Sequence, residues 1–211
     1  MSKAERKERE REMRRNEIVD AAEKLFFSRG YENVTMDDLA KDLEMARATL
    51  YLSFKNKEDI YAAIAIRASK IVSQMFRELN QKDLTGIEKV RQVALTYYEF
   101  YKRYTGYYMA YYYTGMFDHK GSPDLEELRR IRIGSFRMVV EAVSEGMKDG
   151  SIRSDIDPVA ATLIMLSMSN NALAISPVTK MYMENYGLSH DEFYERTIDM
   201  MLSSIEKEKQ I

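Results

Sequence analysis

Residues 18–59 read IVDAAEKLFFSRGYENVTMDDLAKDLEMARATLYLSFKNKED, and this stretch decides the fold. The spacing of Ile18, Ala22, Leu25 and Phe26 places the four on one face of a helix. Gly30 predicts the end of that helix, because glycine adopts the left-handed conformation at low cost.

A second helix is predicted to begin at Thr35, whose hydroxyl can cap free backbone N–H groups. Two aspartates follow in its first turn, where the helix dipole favours negative charge. Leu39, Ala40 and Leu43 are its predicted core positions. Glu44 and Met45 then form the predicted turn.

A short third helix is predicted over about residues 46–52. Leu50 and Phe54 are predicted to point inward, which leaves Arg47, Ala48 and Leu52 on the outside. Three short helices with a tight turn between the second and third are the build of a helix-turn-helix DNA reader.

The segment resembles the DNA-binding domain of the TetR family of bacterial and archaeal transcriptional regulators. The resemblance covers about a fifth of the chain and rests on Ala21-Ala22, Leu25-Phe26, Gly30-Tyr31, Thr35, Leu39-Ala40, Thr49-Leu50-Tyr51, Phe54 and Lys57-Glu58. It implies an all-α protein, with an N-terminal three-helix helix-turn-helix domain followed by an all-helical ligand-binding and dimerisation domain. We expect these domains to span residues 1–57 and 58–211.

The resemblance also implies a set of DNA contacts. Thr35 and the backbone beside it would touch a phosphate, as would Tyr51 and Lys57, while the outer face of the third helix would meet base edges. Helix starts and lysines suit phosphate, and an arginine can bond a guanine edge through two hydrogen bonds. The predicted DNA-binding residues are Thr35, Met36, Arg47, Ala48, Thr49, Tyr51, Leu52 and Lys57.

Three positions depart from the family pattern. Glu44 stands where a glycine is usual in the turn, and a non-glycine residue in a left-handed turn costs on the order of 1 kcal/mol. Ala46 replaces the small polar cap of the third helix. Ser53 replaces an aromatic residue, which predicts one phosphate contact fewer.

Composition bounds the remaining possibilities. The 211 residues include no cysteine, so disulfides and thiolate metal sites are excluded. No apolar run approaches the roughly 20 residues of a membrane span. The charged start lacks a signal-peptide core, so we expect a cytoplasmic protein. Residues 1–57 hold 13 basic and 12 acidic residues. Affinity for DNA must therefore come from placed charges rather than from a basic surface.

The leading segment, residues 2–15, carries seven basic residues against four glutamates. One interpretation is a solvated helix extension held by Glu–Arg pairs. The other is a basic arm that reaches phosphates or a minor groove of DNA.

Long helices are predicted after Lys57. They run from Lys57 to about Gln81, from the capping box at Thr85 to about Tyr104, from Ser122-Pro123 to Asp149, from Asp157-Pro158 to about Ile175, and from the capping box at Ser189 to about Lys209, with a short segment over residues 107–117.

Tyrosine is concentrated in this part of the chain. Nine of the 15 tyrosines lie in residues 97–113. They suit either an amphipathic core, with the hydroxyls at its edge, or a cavity with aromatic walls. Because a small molecule binds inside the second domain of the resembled family, we predict an effector pocket bordered by Tyr97, Tyr101, Tyr104, Tyr108 and Tyr112, with Phe136, Met138 or Met165. Aromatic walls would favour a flat or cationic ligand.

Two further features point to assembly. Asn170-Asn171 interrupts an apolar helix, so one amide either faces solvent, bonds across a subunit interface or reaches a ligand. A homodimer surface is predicted on the last two long helices, because their apolar residues exceed what a lone bundle needs. Its members are Leu163, Leu166, Met168, Ala172, Phe193, Ile198, Met201, Leu202 and Ile205.

No catalytic site, metal site or cofactor is expected. The two histidines, His119 and His190, lie in apparent loops, and no glycine-rich phosphate loop, helical histidine pair or nucleophile elbow is present. The predicted function is a ligand-responsive repressor, released from operator DNA by a small apolar or aromatic effector. A helix-turn-helix protein that binds another protein instead of DNA stays open as the alternative.

Overall fold

The chain is α-helical in a computed structural model, described over residues 2–79, 83–116 and 122–207. The α-helices of these ranges are α1 (Lys3–Arg29), α2 (Met36–Asp42), α3 (Arg47–Ser53), α4 (Lys57–Leu79), α5 (Gly86–Arg103), α6 (Thr105–Tyr113), α7 (Pro123–Asp149), α8 (Pro158–Leu173), α9 (Pro177–Asn185) and α10 (His190–Ile205). Short 3-10 turns cover Tyr31–Asn33 and Thr114–Met116. The predicted all-α class is confirmed.

The predicted helix boundaries follow from local chemistry. Gly30 ends α1 with φ 83°, and its N–H bonds to the Phe26 carbonyl. Asp157 caps α8 and Ser189 caps α10, as their sequences predicted. The predicted ends at Gln81, Phe117 and Lys209, and the loop position of His119, lie outside the described residues.

One helix was not predicted. Pro177 was interpreted only as the residue after a helix, yet Ser176 accepts a hydrogen bond from the Thr179 N–H and Pro177 opens α9. Proline fits the first turn of a helix because its missing N–H would be unsatisfied there in any case. The Ser-Pro pair was therefore a helix start as well as a stop.

The chain divides into two compact units. The first comprises Met1–Ile71 and Tyr104–Ile131, and the second comprises Val72–Arg103 and Arg132–Ile211. The division predicted from the sequence, residues 1–57 and 58–211, concerns DNA binding and effector binding instead of compactness, and it stays a prediction.

The core of the first unit is one apolar cluster under the helix-turn-helix. Ile18, Leu39 and Leu50 are completely buried in it, one each from α1, α2 and α3. Ile60 and Ile64 of α4 close the cluster. The helices α1, α2 and α3 are thus held by side chains whose spacing in the sequence predicted an inward position.

The core of the second unit lies where α10 packs on α8 and α5. The rings of Tyr98 and Tyr194 stack at 4.3 Å between centroids, and the Tyr194 hydroxyl lies 2.6 Å from Ser169 Oγ. At another point α5 approaches α7 so closely that a Cβ on Gly86 would lie 2.1 Å from the Gly146 nitrogen. Glycine is required at this crossing.

Candidate nucleic-acid interface

The start of α2 is fixed by a reciprocal cap. Thr35 Oγ1 accepts a hydrogen bond from the Asp38 N–H at 3.1 Å, and the Asp38 carboxylate accepts from the Thr35 N–H at 2.8 Å. The hydrogen bonds from the Thr35 hydroxyl and N–H lower the pKa of Asp38. The Thr35 side chain therefore fixes the start of α2, where a phosphate contact was predicted.

The turn between α2 and α3 has a left-handed residue at the position where the family pattern has glycine. Glu44 has φ 49°, and it is the one non-glycine residue with a positive φ in the described chain. The Met45 N–H donates to the Ala40 carbonyl at 2.9 Å and the Glu44 N–H to the Lys41 carbonyl at 3.1 Å. The turn keeps its hydrogen bonds but bears a side chain in a conformation that favours glycine.

The third helix presents one face to the core and another to solvent. Leu50 and Phe54 are buried, whereas Leu52 is 81% exposed and Tyr51 is 50% exposed. Arg47 and Ala48 are exposed on the first turn, and Thr49 is partly buried. Ala46 supplies no side-chain cap. The surface of α3 that was predicted to meet DNA is open.

Arg47 has a partner within the same motif. Its guanidinium forms an ion pair with the carboxylate of Asp37 in the first turn of α2, and both side chains are more than half exposed. Because exposed ion pairs contribute little to stability, the pair can open for a competing acceptor.

Lys57 lies at the start of α4 against Tyr31. Its Nζ donates to the Tyr31 carbonyl at 2.9 Å and lies 4.1 Å from the centroid of the Tyr31 ring. An ammonium has three N–H donors, so this contact leaves capacity for a phosphate. Burial, with a smaller contribution from Glu58, raises the pKa of the Tyr31 hydroxyl well above its usual range.

Arg15 was counted with the leading arm, and the structure corrects this. Its Nη1 donates to the Ser53 carbonyl at 2.9 Å, its guanidinium lies 3.9 Å above the Phe54 ring, and it pairs with Asp124. Burial raises the pKa of Asp124, and the nearby Arg15 opposes that rise. Arg15 therefore stabilises the end of α3 and is not part of a free arm.

The tyrosines of the predicted effector pocket belong to both compact units. Tyr97 and Tyr101 lie in the second unit, and Tyr104, Tyr108 and Tyr112 lie in the first. Tyr97 and Tyr108 are buried, and the other three are partly buried. Of the predicted companions, Met165 is buried, whereas Phe136 and Met138 are partly buried. The effector pocket stays a prediction.

Sequence reasoning missed a polar aromatic group beside this cluster. The Tyr98 hydroxyl donates to the Asp191 carboxylate, Lys102 Nζ lies 4.8 Å from the Tyr98 ring, and His190 packs edge-on against that ring. Tyr98 and Asp191 border a groove of about 380 Å³. Tyr98 follows Tyr97 in the sequence, one position from the predicted face of α5 that contains Tyr97 and Tyr101. The periodicity used to predict that face therefore did not include Tyr98.

The two asparagines of α8 have separate surroundings. Tyr97 Oη donates to Asn170 Oδ1 at 3.5 Å, which brings Asn170 to one of the predicted pocket residues. Asn171 is exposed, and its side-chain amide donates to the Ser167 carbonyl at 2.9 Å. One amide thus faces solvent, as one of the interpretations expected.

Part of the predicted dimer surface is wrong. Five of its members are buried inside the protomer, because α10 packs its apolar face on α8: Ala172, Ile198, Met201, Leu202 and Ile205. Leu163, Leu166 and Met168 are exposed as predicted, and Phe193 is partly buried. Exposed apolar residues that were not predicted join them on α8 and α9, namely Val159, Ile164, Val178, Met181 and Tyr182. We name these eight exposed residues the α8–α9 face.

Metal binding and membrane crossing are two further properties on which the described ranges bear. No group of three or more His, Asp or Glu side chains there could hold a metal ion. No single described helix is long and apolar enough to cross a membrane, although α8 and α9 taken together meet the length and composition criteria with a 71° bend between them.

Comparisons with known proteins agree with this geometry. Residues 18–64 match the family model of bacterial regulatory proteins, tetR family. The chain is 26% identical over 156 residues to YhgD, an uncharacterized HTH-type transcriptional regulator of Bacillus subtilis, over 74% of this chain and 80% of that protein. It is 40% identical over 47 residues to IcaR, the HTH-type negative transcriptional regulator of the biofilm operon icaADBC in Staphylococcus epidermidis, over 22% of this chain and 25% of that protein.

A solved structure shares the fold over most of the chain. AibR in complex with isovaleryl coenzyme A and operator DNA superimposes with a TM-score of 0.66 at 18% identity, over 89% of this chain and 97% of that one. YhgD and IcaR are both named as HTH-type transcriptional regulators. With its capped α2, its tight turn and its exposed α3, the segment of residues 18–64 belongs to the tetR family of bacterial regulatory proteins, and the chain resembles DNA-binding transcriptional regulators.

Proposed function

We propose that the protein is a homodimeric repressor whose hold on operator DNA is weakened by a small-molecule effector. The observation that carries the proposal is the exposed face of α3, with Arg47, Ala48, Tyr51 and Leu52 held outward by the buried Leu50. An exposed helix of this kind, packed on a capped partner helix, can enter the major groove of DNA.

Phosphate contacts would fix the position of that helix on the duplex. Thr35 and Met36 would offer backbone N–H groups from the start of α2, and Thr49, Tyr51 and Lys57 would offer side chains. Arg47 would read a guanine edge, because its guanidinium can donate two parallel hydrogen bonds to O6 and N7.

Dimerisation is proposed to occur through the α8–α9 face. Its apolar side chains are exposed in the protomer and lie on two consecutive helices. Large exposed apolar patches commonly mark protein–protein interfaces. A two-fold dimer also places two copies of α3 about 34 Å or a multiple apart, which matches successive major grooves on one side of DNA.

The effector is proposed to be a small apolar or aromatic molecule bordered by Tyr97, Tyr101, Tyr104, Tyr108 and Tyr112. AibR is a relative in fold whose structure holds isovaleryl coenzyme A together with operator DNA, which supports a ligand-responsive regulator. The ligand would favour a dimer conformation whose reader spacing no longer matches the operator. Its effect can be no larger than its difference in affinity between the two conformations.

Genome-wide mapping of bound sites tests the repressor assignment, because it finds the operators without knowledge of the ligand. Deletion of the gene should then raise transcripts from the neighbouring promoters. A fall in those transcripts would identify an activator, and an absence of bound sites would contradict the function itself.

The dimer is tested by light scattering at micromolar concentration. The expected mass is twice that of the 24.7 kDa chain. Ile164→Glu and Met181→Glu should reduce that mass toward the single chain, because each places a charge on the α8–α9 face. A parent protein of single-chain mass would contradict the proposal.

The effector site is tested by screening for compounds that raise the melting temperature, since a ligand bound only by the native state stabilises it. Tyr101→Ala should lose the response to hits, whereas Tyr186→Ala, at an 83% exposed position, should retain it. A Tyr101→Ala protein that responds like the parent to every hit would remove the tyrosine cluster as the site.

A further inference from the structure

One row of residues along α1 changes from apolar to basic as the helix leaves the domain. At helical spacing the row reads Lys7, Arg11, Arg14, Ile18, Ala22 and Leu25, with Lys3 one turn before it. Ile18 and Ala22 are completely buried and Leu25 is 7% exposed. Residues 3–14 are all exposed. The side of α1 that packs on the core therefore continues outward as a stripe of cations.

These cations are not neutralised within the described chain. No ion pair within 4.0 Å is found there for Lys3, Lys7, Arg11 or Arg14. Three of the four glutamates in this segment, Glu5, Glu8 and Glu12, fall on another side of the helix. Glu10 is closest to the row, and it is bonded to Arg6 at 2.9 Å.

The stripe leaves the domain beside the reader helix. Arg15 is the next residue after Arg14, and it bonds the Ser53 carbonyl at the end of α3 and covers the Phe54 ring. The basic row thus begins where α1 contacts the end of α3. It extends for about 16 Å from Arg14 to Lys3, at about 1.5 Å per residue.

We propose that Lys3, Lys7, Arg11 and Arg14 bind the phosphate backbone of the duplex that α3 reads, in the segment flanking the major groove occupied by α3. The length of the stripe matches roughly five phosphates of one strand at about 3.4 Å each. A row of cations without carboxylates of its own complements a row of phosphates. The helix is already formed before binding, with Ser2 and Glu5 closing its start by a capping box.

This proposal rests on the proposed DNA binding by α3, but the stripe would bind phosphates whereas α3 would read bases. Phosphate contacts carry no sequence information, so the stripe adds affinity and salt dependence to every sequence alike. It also concentrates positive charge on one side of a domain that is nearly neutral, since residues 1–57 have a net charge of only +1, from 13 basic and 12 acidic residues.

The test compares two double variants that remove the same charge from the same helix. Lys7→Gln with Arg11→Gln neutralises the stripe, and Arg9→Gln with Lys24→Gln neutralises exposed positions of α1 outside it. Glutamine has a helix propensity close to that of lysine and arginine, so both variants keep the helix. Thermal unfolding of each protein verifies this.

The readout is the slope of log Kd against log salt concentration on an operator and on unrelated DNA. The stripe variant should lose about 0.9 of slope per removed contact, or about 1.8 per bound chain, on both DNAs. The control variant should keep the parent slope. An unchanged slope in the stripe variant, or an equal loss in both variants, would overturn the proposal.

A separate result would show failure of the underlying function. If the parent protein gives no competitor-resistant binding at any salt concentration, α3 itself is not a DNA reader. If the parent binds and the stripe variant keeps the parent slope, DNA binding by α3 stands and the stripe is a solvated helix extension.

Discussion

The guanidinium of Arg47 forms an ion pair with the carboxylate of Asp37, which joins the first turn of α3 to the first turn of α2. Both groups are exposed, so the pair adds little to stability. The pair affects DNA binding, because the Arg47 guanidinium must separate from the Asp37 carboxylate before it can donate hydrogen bonds to a base.

Asp37→Asn should raise the affinity for DNA several-fold, because Arg47 then lacks the carboxylate with which it pairs. Asp42→Asn is the matched control, since it removes the same charge from an exposed position at the other end of α2. Fluorescence anisotropy with operator and unrelated duplexes measures both. Equal gains in the two variants would mean that only net charge matters, and weaker binding by Asp37→Asn would show that Asp37 positions Arg47.

Glu44→Gly should stabilise the protein by about 1 kcal/mol, because Glu44 has φ 49° and glycine adopts that conformation without strain. Asp42→Gly, two residues earlier within α2, should destabilise by roughly 0.5–1 kcal/mol, because glycine is disfavoured in a helix. Chemical denaturation gives both changes. A loss of stability in Glu44→Gly would mean that the glutamate side chain contributes more than the backbone strain removes.

Gly86→Ala should destabilise the second unit by about 1–3 kcal/mol or more, since the added methyl would overlap the backbone of Gly146 at 2.1 Å. Gly134→Ala provides the contrast within α7. A Cβ there meets no atom within 4 Å, so the variant should gain up to about 1 kcal/mol of helix propensity. Similar melting temperatures for the two variants would contradict the close approach of α5 and α7.

Three exposed carboxylates make the free energy of unfolding depend on pH in the acidic range. Each accepts hydrogen bonds from the backbone N–H and the hydroxyl of the residue three positions before it, at the starts of α2, α5 and α10: Asp38, Glu88 and Glu192. Those hydrogen bonds, chiefly from the hydroxyl, lower the pKa of each group. Their contribution is therefore complete above the unfolded pKa, about 4, and is lost as pH falls through the folded values.

The melting temperature should accordingly fall between about pH 5 and pH 2. Glu192→Gln keeps a capping side chain but removes its titration, so its curve should fall less steeply than that of the parent. Glu195→Gln, on an exposed position of α10 outside the cap, should follow the parent. Identical curves for all three proteins would exclude the cap at Ser189 as a source of acid sensitivity.

The parts of the site that could be predicted from sequence are those governed by neighbours along the chain. The spacing of Ile18, Leu39 and Leu50 specifies a buried face. Thr35 specifies a helix start, and Glu44-Met45 was correctly predicted as the turn. Each depends on backbone geometry within a few residues, which a single sequence contains.

The parts that could not be predicted depend on distant partners. In the sequence, Arg15 is indistinguishable from the other cations of the leading segment. Its partners Ser53 and Asp124 are far away along the chain and reach it only in the folded protein. In the same way, Met201 and Leu202 lie on an apolar face, but periodicity does not say whether another helix of the same protomer or a second protomer covers it. The structure shows that α8 covers them.

The outer face of α3 is proposed to read bases, and the variant Arg47→Ala tests this role. The variant should fold like the parent, because Arg47 is exposed. The measurement is the ratio of Kd for a mapped operator to Kd for a scrambled duplex at fixed salt. Arg47→Ala should lose about 1–3 kcal/mol of this discrimination. Undiminished discrimination by Arg47→Ala would show that Arg47 does not read a base.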